Sequence, residues 1–202
     1  MAIEEPAYEV VRTFPEFELR RYPPYLVAET EVSGDFDGAG SQAFRILADY
    51  IFGNNRSSTK IEMTAPVNQR PAAGDSERIE MTAPVAQRPK SGTDGGIFVI
   101  SFVMPSRFGL DSLPEPVDPR VQLREEAGGL MAVRRYSGRW TEARYRENED
   151  ALLRAVEEAG LQPAGAPVYA RYNSPFSLWF MRRNEVMVPV AESADAGAAP
   201  RP

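Results

Sequence analysis

The amino-acid sequence predicts an α+β fold with a largely antiparallel sheet and two helices, and three observations carry that expectation. Residues 17–34, "FELRRYPPYLVAETEVSG", are answered without a gap 104 residues later by residues 121–138, "VQLREEAGGLMAVRRYSG", with six of eighteen positions identical. Each copy alternates apolar and polar residues, the period of a half-buried strand, and each leads into an amphipathic helix. Strands outnumber helices in both halves, and runs of strands with few helices indicate α+β rather than a doubly wound parallel sheet.

In the first half, Leu26, Ala28, Thr30 and Val32 face one way and Val27, Glu29 and Glu31 the other, as a strand with one packed face requires. The helix that follows puts Ala43, Phe44, Leu47, Tyr50 and Ile51 on one side and Gln42, Arg45 and Asp49 on the other. Next comes a phrase spelled twice, "IEMTAPVNQRP" at residues 61–71 and "IEMTAPVAQRP" at residues 79–89, identical at ten of eleven positions. As strands, both copies put Ile, Met, Ala and Val on one face. Pro66 and Pro84 lack an N–H, so pairing ends or faces outward there. Two copies are too few for a solenoid. They fit either a duplicated edge segment forming a long hairpin, or one copy in the sheet with the other extending the rim of a pocket. Spacing favours the second copy as the neighbour of residues 97–105, "IFVISFVMP", a run apolar on both faces that suits a central, doubly covered strand.

In the second half Thr141 is a helix N-cap, Tyr145, Leu152, Val156 and Ala159 form the apolar stripe, and Gly160 ahead of Pro163 stops the helix. Strands are expected at residues 167–172 and 185–190. Each half therefore runs strand, helix, strand, strand. One domain is expected over residues 1–190, with half-repeats at about 8–105 and 115–190. Residues 191–202 have the small, polar, Pro-bearing composition of a disordered tail.

Composition excludes several chemistries. The 202 residues contain no cysteine and no histidine, so thiol nucleophiles, disulfides, Cys/His zinc sites and His-based triads are unavailable, and a catalytic role is not expected. A net charge of −6 is the wrong sign for phosphate-backbone binding, so nucleic acid is not an expected partner. Residues 1–6 lack a basic, apolar leader, and residues 97–105 are too short to span a bilayer. A soluble cytoplasmic protein is the resulting expectation.

The phrases "GNN…KIEMTAPV", "FVISFVMP" and "LPEPVDPRVQLRE", the Ser137-Gly138 turn, and "ARYNSP…RRNEV" at residues 170–186 resemble, in order and over about residues 8–190, the SOUL/haem-binding protein family. The doubled phrase resembles a variant of bacterial members. The resemblance implies a distorted antiparallel β-barrel of two pseudo-twofold repeats with a helix packed outside each half. That architecture is similar to gyrase-inhibitor-like effector-binding domains, which hold small, often cationic, molecules. It further implies a carrier or buffer that holds haem or another tetrapyrrole non-covalently in a shallow apolar groove beside the first helix.

A porphyrin needs a flat apolar slot, basic groups for two propionates, and an iron ligand such as His, Met, Cys or Tyr. Without histidine, ligation falls to Met or Tyr, or to no side chain. The implied site residues are Phe44, Leu47, Tyr50 and Ile51 on the helical stripe, which also suits core packing, and Arg45, Arg182 and Arg183 for the propionates. Met63 and Met81 are flexible gap-fillers as well as soft ligands. Tyr172, Phe176 and Trp179, with Phe180, could wall a flat ligand or cap one end of the fold. Arg183 and Glu185 suit a structural ion pair equally. Glu62 and Glu80 read as a solvated strand face, or as a carboxylate pair for a cation. A small-molecule effector or protein-interaction module is the competing function.

Overall fold

The structure, a computed structural model, describes residues 4–56, 85–89, 96–172 and 178–191. The strands are β1 (Glu9–Thr13), β2 (Glu18–Tyr22), β3 (Tyr25–Ser33), β4 (Asn55–Arg56), β5 (Val85–Pro89), β6 (Ile97–Val103), β7 (Glu115–Pro116), β8 (Gln122–Glu126), β9 (Gly129–Tyr136), β10 (Val168–Arg171) and β11 (Asn184–Pro189). The helices are α1 (Phe36–Ile51) and α2 (Glu142–Glu158), with 3₁₀ turns at Leu110–Ser112 and Trp179–Met181. Nine strands form one antiparallel sheet in the order β1-β2-β9-β11-β10-β5-β6-β3-β8, and β4 and β7 pair separately.

Two short links shape this sheet. Pro23 and Pro24 join β2 to β3, which stand second and eighth in the order, and Ala127 and Gly128 join β8 to β9, which stand ninth and third. Three residue steps span at most about 11 Å, so both ends of the sheet are drawn together. The links also touch each other. Gly128 sits at φ +71, and a Cβ there would overlap the Tyr22 carbonyl oxygen and lie 2.6 Å from the Pro23 carbonyl. β2 and β8 begin 104 residues apart, as do β3 and β9. Each first strand pairs with the second strand of the other half, β2 with β9 and β8 with β3.

The expected closed barrel does not form. β1 and β8 are the two ends of the strand order, and the sheet is open between them. No ladder pairs β1 with β8, although the link at Pro23 and Pro24 draws β2 and β3 together.

The pleat then separates two faces. Leu26, Ala28 and Val32 of β3 and Ile100 and Phe102 of β6 pack under α1, with Ala43, Leu47, Tyr50 and Ile51 from the helix. Leu19, Leu130, Ala132, Val186 and Val188 pack under α2, with Tyr145, Leu152 and Val156. The opposite, concave face carries Tyr22, Val133, Ala170 and Met187, with Tyr25, Met131, Val168 and Tyr172 beside them. The apolar run at residues 97–105 is thus a strand with one face under α1 and the other lining the concavity.

Asp35 caps α1 by accepting from the Gly38 N–H at 2.5 Å. Thr141 stands at the N-cap of α2, but its side chain makes no capping bond. Gly160, at φ +73, ends α2 as its sequence position requires. β5 is the end of the second copy of the doubled phrase; it pairs with β6 on one side and β10 on the other, so that copy joins the two halves rather than forming an edge. The first copy lies outside the described residues.

The crossing makes a specific demand. Gly128→Ala should lower stability by about 3 kcal/mol, because backbone strain and overlap with Tyr22 and Pro23 act together. Gly160→Ala, with similar φ but nothing within 4 Å, should lose about 1 kcal/mol. Urea midpoints of the two variants test the difference.

Candidate functional site

A carboxylate with no exposure organises one end of the concave face. Glu185 Oε2 accepts from Arg20 Nη1 at 3.1 Å and from the Tyr172 hydroxyl at 2.6 Å, while Oε1 accepts from Arg183 Nε and Nη2 at 3.1 and 3.0 Å. Arg20 also binds Glu18 at 2.7 Å and lies 4.3 Å above the Tyr8 ring; Arg183 binds Glu5 at 2.9 Å and lies 3.8 Å above Tyr172. A buried charge is tolerable only when paired and hydrogen-bonded, and these contacts supply both conditions. Burial works against the Arg20 charge, but Tyr22, Glu185 and Glu18 outweigh it and raise the pKa. Burial pushes the Tyr22 hydroxyl up to about 12 against the pull of Arg20, and raises Tyr172 further, with Glu185 adding to the effect.

Beyond this network the concave face opens into a cleft of about 710 Å³. Tyr25, Glu29 and Glu31 of β3 and Glu126 of β8 form one wall, with Val99, Ser101 and Val103 of β6. Met131, Val168, Met187 and Tyr172 form the other. Arg124 bridges Glu29 and Glu126 at 3.0 and 2.6 Å. A separate hollow of about 440 Å³ shares Pro6 and Tyr25 with this cleft and continues toward Met104 and Phe108.

On the helix side of the sheet, a second surface gathers arginines and aromatic rings. Leu178, Trp179, Phe180 and Met181 are four consecutive exposed apolar residues, Met181 at 68%. Arg139 lies 5.8 Å from the Trp179 ring, and Arg182 and Arg171 lie 4.2 and 5.3 Å from the Trp140 ring. The motif residues fix this arrangement. Trp140 Nε1 donates to Asn184 Oδ1 at 2.6 Å, and Asn184 Nδ2 donates to the Gly138 carbonyl at 3.2 Å, tying "RRNEV" to the Ser-Gly turn. Arg171 donates to the Tyr145 hydroxyl and to Gln87 Oε1, both at 2.9 Å, and Gln87 Nε2 reaches the Phe36 carbonyl at 3.2 Å. Gln87 belongs to the doubled phrase, so that phrase anchors Arg171 to the start of α1. Arg171 Nη1 occupies the space that a side chain at Gly40 would fill. Among the described residues no carboxylate pairs with Arg171.

The residues expected from sequence divide among these places. Leu47, Tyr50 and Ile51 are buried in the core, and the Tyr50 hydroxyl donates to the Pro114 carbonyl at 2.9 Å. Phe44 is half-buried against Phe102, and Arg45 is exposed. Tyr172 lines the cleft and Arg183 serves the Glu185 pair. Trp179 and Arg182 lie on the helix-side surface. Met63, Met81, Phe176, Glu62 and Glu80 lie outside the described residues. Sequence reading missed Arg20, Glu29, Glu31, Glu126, Arg139, Trp140 and Arg171. The alternation of β3 had already put Glu29 and Glu31 on one face, but nothing local showed that this face lines a cleft.

Two variants probe the network. Glu185→Ala removes the buried anion shared by Arg20 and Arg183 and should lower stability by about 3 kcal/mol in denaturant titration. Tyr22, protonated to about pH 12 in the fold, adds stability that is intact below its unfolded pKa near 10. That contribution falls away as pH rises from about 10 to 12, because the unfolded chain loses the proton first. Urea midpoints across this range should drop, and Tyr22→Phe should flatten the drop.

Comparison with known proteins concerns the family and the fold. The model of the SOUL heme-binding protein family matches residues 3–77 and 70–189. Heme-binding protein 2 of Homo sapiens is 30% identical over 179 residues, covering 84% of this chain and 79% of that protein; its Mus musculus counterpart is 28% identical over 181 residues, covering 85% and 80%. Among solved structures, the C-terminal domain of EcmrR aligns with TM-score 0.58 at 13% identity, covering 92% of this chain and 99% of that one. A hydrolase from Listeria innocua aligns with TM-score 0.55 at 16% identity, covering 87% and 92%. At such identities these two similarities concern the fold alone. Among the described residues, no helix is long and apolar enough to cross a membrane.

Proposed function

We propose, for a chain that belongs to the SOUL heme-binding protein family, that it carries or buffers haem or a related tetrapyrrole on the surface where the turn Trp179–Met181 meets Arg139, Trp140, Arg171 and Arg182. The observation that carries this reading is the run of four exposed apolar residues beside Arg139 and followed by Arg182, which shares the Trp140 ring with Arg171. Contiguous exposed apolar surface is costly in a soluble protein unless something covers it. A porphyrin matches it, with flat apolar faces and two anionic propionates on one rim.

In this reading Arg171 and Arg182 receive the propionates, Trp179 and Phe180 cover a ring face, and Met181 is the soft side chain within reach of an iron. Haem when bound supplies an iron centre with a strong visible absorption. The role is binding rather than catalysis. The seat lies beside the start of α1, at Gly40, rather than along Leu47, Tyr50 and Ile51, whose burial leaves no room for a ligand without unpacking the core. Among the described residues that line the cleft on the opposite face, none is an arginine or lysine that could receive the propionates.

Titration with haemin, followed by the Soret band, tests the reading. Trp179→Ala and Arg182→Glu, both away from the core, should each weaken binding about tenfold. Loss of affinity in Arg45→Glu with none in Arg182→Glu would move the seat along α1. No Soret change at micromolar protein would reject tetrapyrrole binding altogether.

A further inference from the structure

We infer that the turn at Leu178–Met181 is a membrane-docking tip, which enters the interface of an anionic lipid bilayer while Arg139 and Arg182 lie at the depth of the headgroups. Its four residues are consecutive, apolar and half-exposed or more. Their composition suits a lipid surface, because tryptophan is enriched where a membrane meets water and Leu178, Phe180 and Met181 add only apolar atoms. Unpaired backbone groups are costly in lipid, and this turn closes on itself. The Met181 N–H donates to the Leu178 carbonyl at 2.9 Å, and the Arg182 N–H to the Trp179 carbonyl at 3.5 Å.

Size decides against a protein partner. Four half-exposed side chains present on the order of 500 Å², short of the roughly 800 Å² that each partner buries in a stable protein interface. Insertion into a bilayer sets no such minimum, since each apolar group gains by leaving water on its own. Charge then selects the lipid. Arg139 lies 5.8 Å from the Trp179 ring, and among the described residues no carboxylate pairs with it. Arg182 directly follows the turn. A guanidinium reaches the phosphates on its apolar stem while the neighbouring rings sit deeper. The chain as a whole carries −6, so this attraction is local and the attachment reversible. The turn also belongs to the proposed tetrapyrrole seat, and the inference rests on that reading in one respect only: the cargo passes between bilayer and protein here.

Flotation of the haem-free protein with vesicles tests the inference. The protein should bind phosphatidylcholine vesicles that contain phosphatidylserine about fivefold or more tightly than phosphatidylcholine alone, and less tightly as salt is added. Lipids brominated in the acyl chain should quench Trp179, and Trp179→Phe should remove most of the quenching while the protein still floats. Phe180→Glu with Met181→Glu should weaken binding about tenfold or more, and Arg139→Gln about fivefold. Absence of flotation with the anionic vesicles, equal flotation with both kinds, or flotation without quenching would overturn the inference, and so would a double variant that floats unchanged. A dimer in solution that the double variant dissolves would assign the turn to a second copy and overturn it too. Haemin is absent throughout, so a failed Soret titration leaves these readouts intact, and failed flotation leaves the tetrapyrrole reading standing.

Discussion

The contact between two chain links, Tyr22 to Tyr25 and Glu126 to Gly129, is the constraint on which this molecule depends. Each link carries the chain from one end of the sheet order to the other in three residue steps, so the sheet must curl until its ends meet. The links pass so closely that only a glycine fits at position 128. Curling creates an inside and an outside from a sheet that would otherwise present two equivalent faces. The helices cover the outside and the inside is left concave.

That division also sorts the residues of the two surfaces. Inside, the carboxylates of Glu29, Glu31 and Glu126 stand over an apolar floor; outside, Arg139, Arg171 and Arg182 stand among tryptophans. Strand alternation is what keeps the two sets apart, since Arg171, the last residue of β10, and Tyr172, which follows it, point to opposite faces. Tyr172 joins Glu185 on the concave side, while Arg171 joins Tyr145 and Gln87 on the other. One strand therefore serves both surfaces, and its register against β11 and β5 positions the two together.

The motifs that make the chain recognisable act chiefly as joints. Asn184 links the Ser-Gly turn to Trp140, Gln87 links β5 to α1 and Arg171, and Arg183 with Glu185 closes the end of the cleft. Each joint satisfies polar groups that would otherwise be buried without partners, which explains why these positions hold amides and ion pairs rather than apolar residues. The exposed residues nearby, Trp179 and Met181, take no part in those joints.

Local pattern was enough to read the strands at β6, β10 and β11, both helices, the Gly160 stop, the 104-residue offset and the packing stripe of α1, because period and capping are properties of consecutive residues. The expected long strands at 17–34 and 121–138 are each two strands, broken at Pro23-Pro24 and at Ala127-Gly128, and β1, β4 and β7 were not expected. The Arg183–Glu185 pair was also within reach, two positions apart on one strand face. Openness of the sheet, the pairing of β5 with β10, and the company kept by Arg20, Arg171, Glu29 and Glu126 were decided only by tertiary structure. Those depend on which strands pair across 84 residues and more and on the crossing at Gly128, and no short-range signal encodes a contact between segments so distant in the chain. Chemistry was written locally; the partners of each charged group were settled by the curl of the sheet.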